Sequence, residues 1–152
     1  MSWLRWLRTS LAGCPARSRC FAPVYMRRGR KPVRYDWLDG ELMRLPGVTR
    51  DFKAEWNWTR YMVGGKLFCA LCHDGAGGDV YITVKLEPLR GEFLRAQYDD
   101  VIPGYYCNKV HWNSVKTAGS LPEDILRDML AESYRLVSQG LTKKARRELG
   151  IE

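Results

Sequence analysis

Cys69-Ala-Leu-Cys72-His73 combines residue types and spacing that could do several kinds of chemistry. C-x-x-C-H is the pattern of c-type haem attachment, and the same pair of thiols suits a redox couple or half of a zinc site. The local context opposes all three. A side-chain period of two sends Cys69 and Cys72 to opposite faces of a strand, whereas haem attachment needs both sulfurs directed at one macrocycle. Zinc would need further ligands, and the rest of the domain offers only Cys107 and His111. Buried cysteines packing as small hydrophobes are the expected state, with no metal and no cofactor.

Asn108-Lys109-Val110-His111-Trp112-Asn113 is a second cluster. A cation, an imidazole, an indole and two amides within one short stretch could grip a phosphate, stack a base and hydrogen-bond its edge. The alternative is structural: Trp112 in the core, His111 a satisfied strand residue, Asn108 a turn stabiliser. Lys66 and Lys85 lie at the start and end of neighbouring strands. Tyr81, Thr83 and Lys85 share one sheet face, because Val80, Ile82 and Val84 take the other. Left open, that face would make a nucleic-acid platform; covered by helices, it would be packing with a rim charge. Lys143, Lys144, Arg146 and Arg147 form the one dense positive patch inside the domain. They could neutralise a few phosphates or simply complement a helix C-terminus.

Catalysis finds little support. The chain has two histidines and no nucleophile elbow, P-loop, G-x-G-x-x-G or H-E-x-x-H. The acid pairs Asp99-Asp100 and Glu123-Asp124 fall in a loop and at a helix start, where acids are expected without a catalytic reason. A non-enzymatic protein is the expectation.

The elements that must position these residues follow from hydrophobic period. Trp37, Leu38, Leu42 and Leu45 predict a short helix over 36–45, ended by Pro46-Gly47. An antiparallel meander follows: a strand over 56–63, a Gly64-Gly65 turn, a strand over 66–73, a glycine-rich turn, and a strand over 80–85. A second helix spans 86–98 with Pro88 in its first turn and Leu89, Phe93 and Leu94 inward. A strand covers 111–117. Ser120 and Glu123 have capping-box spacing before a helix whose Leu126, Met129, Leu130, Ser133 and Val137 share one face and which ends near Gly140. A short basic helix covers 142–149. The result is an α+β protein, with helices packed against an antiparallel sheet.

Several segments together resemble the MmcQ/YjbR family. They are Leu45-Pro-Gly-Val-Thr-Arg-Asp-Phe52, Val63-Gly-Gly-Lys-Leu-Phe68, Val84-Lys-Leu-Glu-Pro88, Val101-Ile-Pro-Gly104, the run Gly104 to Val115, and Gly119-Ser-Leu-Pro-Glu-Asp-Ile-Leu126, in the family's order and covering roughly residues 35 to 150. The resemblance implies a double-wing or CyaY-like fold and DNA as partner. On that reading Lys66, Lys85, Lys109, His111, Trp112 and Asn113 are the contact residues, with Lys143, Lys144, Arg146 and Arg147 as a secondary patch. The chain departs from the family at Tyr106 and Cys107, where His and Met are expected, so a ligand role for that His does not carry over. The competing reading is a protein-interaction or small-ligand module on the same frataxin-like fold without nucleic acid. Its iron-handling version would rest on Asp36, Asp39 and Glu41.

Charge distribution bears on that choice. The 152-residue chain carries a net charge of +8, yet nine of its 25 Lys and Arg fall in residues 1–34, which hold no acid. The remaining 16 face all 17 acids, so residues 35–152, read as one domain, are near −1. A basic chain is therefore no argument that the domain binds phosphate. The extension over 1–34 is expected to lie outside the folded core. It reads as spurious sequence upstream of a start at Met26, as an organellar presequence, or as a disordered basic arm. No apolar run is long enough to span a membrane. Five cysteines, an odd count without a convincing secretory signal, fit a cytoplasmic protein with reduced thiols.

Overall fold

The computed structural model describes residues 35–151, so the expectations for the extension lie outside the described residues. Ten elements follow in order: α1 (Trp37–Leu42), β1 (Val48–Lys53), β2 (Trp58–Val63), β3 (Lys66–His73), β4 (Asp79–Lys85), α2 (Pro88–Gln97), β5 (Val101–Pro103), β6 (Trp112–Lys116), α3 (Glu123–Gln139) and α4 (Lys143–Glu148). The strands form one antiparallel sheet in the order β1-β2-β3-β4-β6-β5. This is the α+β arrangement that the alternating periods indicate.

Gly64 and Gly65 connect β2 to β3 with φ of +55° and +74°. Both positive values belong to the tight hairpin turn whose twist matches the flanking strands. A Cβ at Gly64 would also stand 2.8 Å from Leu141.

One sheet face carries the main core. Tyr61, Phe68, Cys69, Ile82, Val84 and Val115 meet Leu126, Met129, Leu130 and Val137 of α3 there. Each large apolar side chain so buried contributes about 1.5–3 kcal/mol. The α3 stripe matches its helical spacing, including Ser133, whose hydroxyl accepts from Lys85 N at 2.8 Å. The opposite face has a smaller cluster of Trp58, Ala70 and Cys72, with Leu67, Tyr81 and Cys107 packed against it.

Several expectations need correction. Two strands, β1 and β5, escape the sequence pattern; β1 has an irregular burial pattern and β5 is three residues long. On α2 only Gly91 and Leu94 are buried, while Leu89 and Phe93 are 80% and 58% exposed. The helix sits against the sheet through its glycine, which turns the larger side chains outward. Ser120 does not cap α3: Pro122 holds that position, and Ser120 N donates to Asp100 Oδ2 instead. Thr142, by contrast, caps α4 by accepting from Ala145 N at 3.2 Å.

Candidate functional site

The face away from α3 is built by the turn after β1 and one returning loop. After β1 a tight turn carries Trp56, closed by Asn57 in the left-handed region at φ +56° and by a bond from Asn57 Nδ2 to Asp74 O at 2.6 Å. Asn tolerates that conformation better than other side chains do. The segment between β5 and β6 then folds back over the sheet. Gly104 N donates to Trp112 O at 2.7 Å, Trp112 N to Asn108 O at 2.9 Å, and Tyr105 N to Ser114 Oγ at 3.2 Å. Gly104 is required there, because a Cβ would lie 2.8 Å from that of Trp112. Asn108 Oδ1 accepts from Val110 N at 2.8 Å, the turn-stabilising role open to it from sequence.

These segments place a continuous run of rings on the open face. Trp56 and Trp58 have centroids 5.4 Å apart, Trp58 and Tyr106 5.5 Å, Tyr106 and Tyr105 4.6 Å, and Tyr105 and Tyr81 5.3 Å. Trp56, Tyr105 and Tyr106 are 53%, 57% and 63% exposed. Between them lies a groove of about 750 Å³ lined by Trp56, Trp58, Tyr106, Cys107, Trp112 and Glu55, with Leu67 and Asn108 completing it. Cations edge it: Lys53 Nζ and Arg60 Cζ stand 5.8 and 5.9 Å from the Trp56 ring. Lys53 also pairs with Glu55 at 3.0 Å and holds that carboxyl below its ordinary value. Arg60 pairs with Asp51 at 2.5 Å.

The sequence-designated residues do not all gather here. Trp112 lines the groove, and Lys109 and His111 are exposed on the returning loop. Lys85 is half-buried, paired in register with Trp112 on the same face. Lys66 lies on the helix side, its Nζ donating to Gly140 O at 3.0 Å. Asn113 is fully buried there too; it accepts from Arg95 and donates to His111 O at 3.3 Å, and no base edge can reach it. Lys143, Arg146 and Arg147 line a shallow basic depression of about 290 Å³ on α4 with Ile151. That helix packs onto the α3-side core through Ala145 and Leu149, so its patch is not continuous with the groove.

Trp56, Trp58, Tyr105 and Tyr106 were missed as site residues. Their signal was available: Trp-Asn-Trp and Tyr-Tyr pairs beside turns are too aromatic for solvent-facing connections.

The Cys-x-x-Cys-His segment resolves into packing. Cys69 is in the α3-side core and Cys72 in the opposite cluster, as the strand period requires. Burial raises both thiols, Cys72 to about 11, and Cys72 Sγ is 3.7 Å from Thr83 Oγ1. Both ring nitrogens of His73 are engaged, Nδ1 with Asp79 Oδ1 and Nε2 with Thr59 Oγ1, each at 2.8 Å. Among the described residues no group of three or more His, Cys, Asp or Glu could hold a metal. Of the three acids considered for iron, two are committed elsewhere: Asp39 to Arg50 and to the Tyr61 hydroxyl, Glu41 to Arg127.

Residues 43–136 match the family model YjbR. The chain is 33% identical over 84 residues to YbdF of Escherichia coli, 55% of this chain and 67% of that protein. It is 29% identical over 107 residues to YjbR of Escherichia coli, 70% of this chain and 89% of the relative; both relatives are described as uncharacterised. A crystal structure of a Deinococcus radiodurans protein with a DUF419 domain superposes with a TM-score of 0.68 at 30% identity, covering 76% of this chain and 86% of that one. A Pseudomonas syringae protein gives 0.59 at 19% identity, over 69% of this chain and 99% of that one, and shows the shared fold alone.

Proposed function

The chain belongs to the YjbR family, and from that premise we propose that it is a small, non-enzymatic, cytoplasmic DNA-binding protein that takes an unpaired strand across its open sheet face. The observation that supports this most is the run of exposed rings through Trp56, Tyr106 and Tyr105. Every base has a π-face, and stacking on an aromatic side chain contributes about 1–3 kcal/mol per base. Lys85 pairs in register with Trp112, and Lys109 and His111 are exposed on the loop leading into β6, available for phosphate contacts. Lys66 and Asn113 have no part in this site.

The test is fluorescence anisotropy of the full chain with labelled single-stranded and duplex DNA. Replacing Trp56 and Tyr106 by Ala should weaken single-strand binding by about tenfold or more. The basic extension and the α4 patch are unchanged in that variant, so unchanged affinity would place any binding outside the aromatic run and remove the sheet face as the site. Within the domain few phosphates can be contacted, so the loss should persist at high salt.

A second reading, a small-ligand module without nucleic acid, is favoured by one specific feature. Glu55 puts a carboxylate in the groove where a polyanion would have to lie.

A further inference from the structure

We propose that the groove is an aromatic cage for a methylated ammonium group carried by a small molecule. The inference names the ligand class for the small-ligand reading and does not depend on DNA binding.

Ring orientation comes first. Trp56 and Trp58 are inclined by 65° and Trp58 and Tyr106 by 53°, so these rings form walls at an angle to one another. Inclined walls surround a compact group from several sides. Trp112 adds a fourth ring to the lining.

Charge is the second observation. Glu55 is the one ionised side chain among the residues lining the groove. A carboxylate and the negative faces of aromatic rings attract the same ligand, a cation, and methylated ammonium is the cation that such rings hold best because it gives up little hydration. The third is that the protein places its own ammonium in this setting: Lys53 Nζ is 3.0 Å from Glu55 and 5.8 Å from the Trp56 centroid. Lys53 is thus an internal stand-in for the ligand head and its competitor. A groove of about 750 Å³ leaves space for the chain attached to that head.

The experiment is an NMR titration of the full chain with tetramethylammonium and choline, against matched sodium chloride, following the indole N–H signals. The signals of Trp56, Trp58 and Trp112 should shift saturably. Trp37, which stacks under Arg127 at 3.8 Å away from the groove, should not move. Choline should bind about tenfold more tightly than 3,3-dimethylbutanol, its neutral isostere. Glu55→Gln should weaken choline by about fivefold, while Lys53→Met should strengthen it by removing the competitor. Glu55 is exposed and Lys53 is half-buried at the end of β1, outside both core clusters, so neither change removes core packing. Equal binding of the neutral isostere, or no saturable shift, overturns the proposal. Single-stranded DNA titrated in parallel separates the readings: binding of DNA but not of ammonium removes the cage alone, and the reverse removes the DNA-binding surface alone.

Discussion

Gly91 of α2 lies against the side-chain amide of Asn113, so closely that a Cβ at position 91 would stand 2.9 Å from Nδ2 and 3.0 Å from Oδ1. The amide cannot retreat, because it bonds Arg95 on one side and His111 O on the other. A residue that looks suited to reading bases is instead the seat of a helix.

Gly91→Ala therefore sets two effects against each other. Helix propensity favours alanine by about 1 kcal/mol, while forcing a methyl into a closed contact costs about 1–3 kcal/mol. The expected outcome is a net loss of about 1 kcal/mol in urea denaturation. A gain in stability would mean that α2 can lift from the sheet.

Lys66→Ala should lower stability by about 0.5–1 kcal/mol, because the ammonium satisfies Gly140 O at the C-terminal end of α3. DNA affinity should be unchanged, since the side chain lies on the helix side. Denaturation and anisotropy on the same sample check both halves.

The Arg50 guanidinium and the Tyr61 hydroxyl both bond Asp39 and hold its carboxyl below the ordinary range. A depressed folded value contributes stability that is present above the unfolded pKa, about 3.9, and lost as pH falls through the folded one. Asp39→Asn should thus cost about 0.5–1 kcal/mol at pH 7 and progressively less below pH ~4. Urea midpoints of both proteins at pH 7 and in acid measure the convergence; a constant difference would mean that the ion pair is not its source.

Alkylation should follow burial. At pH 8 a thiol with a pKa of about 11, as at Cys72, is ionised to roughly one part in a thousand, and Cys69 is fully enclosed. Among the three cysteines of the described residues, iodoacetamide followed by mass mapping should modify half-buried Cys107 first, Cys72 slowly, and Cys69 only on unfolding. Labelling of Cys69 at the rate of Cys107 would show that β3 opens readily in the native state.

Much of this was legible along the chain. The α3 stripe, the Gly64-Gly65 hairpin, and the opposite placement of Cys69 and Cys72 follow from periods of 3.6 and 2 that any single segment displays. The motifs from Leu45 to Leu126 carried the family resemblance on the same basis. Local signals failed where a partner decides the outcome. Leu89 and Phe93 look like an inward face, but Gly91 is what fits against Asn113, and they turn to solvent. Ser120 has the spacing of a cap, but Asp100 captures its N–H.

By itself, then, the sequence determined the four helices, the strands β2, β3, β4 and β6, the antiparallel hairpins and the family, because these rest on neighbouring residues and backbone preferences. Tertiary structure decided which of the adjacent residues Trp112 and Asn113 faces the groove and which the core. A strand's alternation fixes only that they differ; which side is buried depends on where α2 and α3 dock. The same docking left the other face open for Trp56, Trp58 and Tyr106 to meet across three separate segments, a proximity that no spacing along the chain contains.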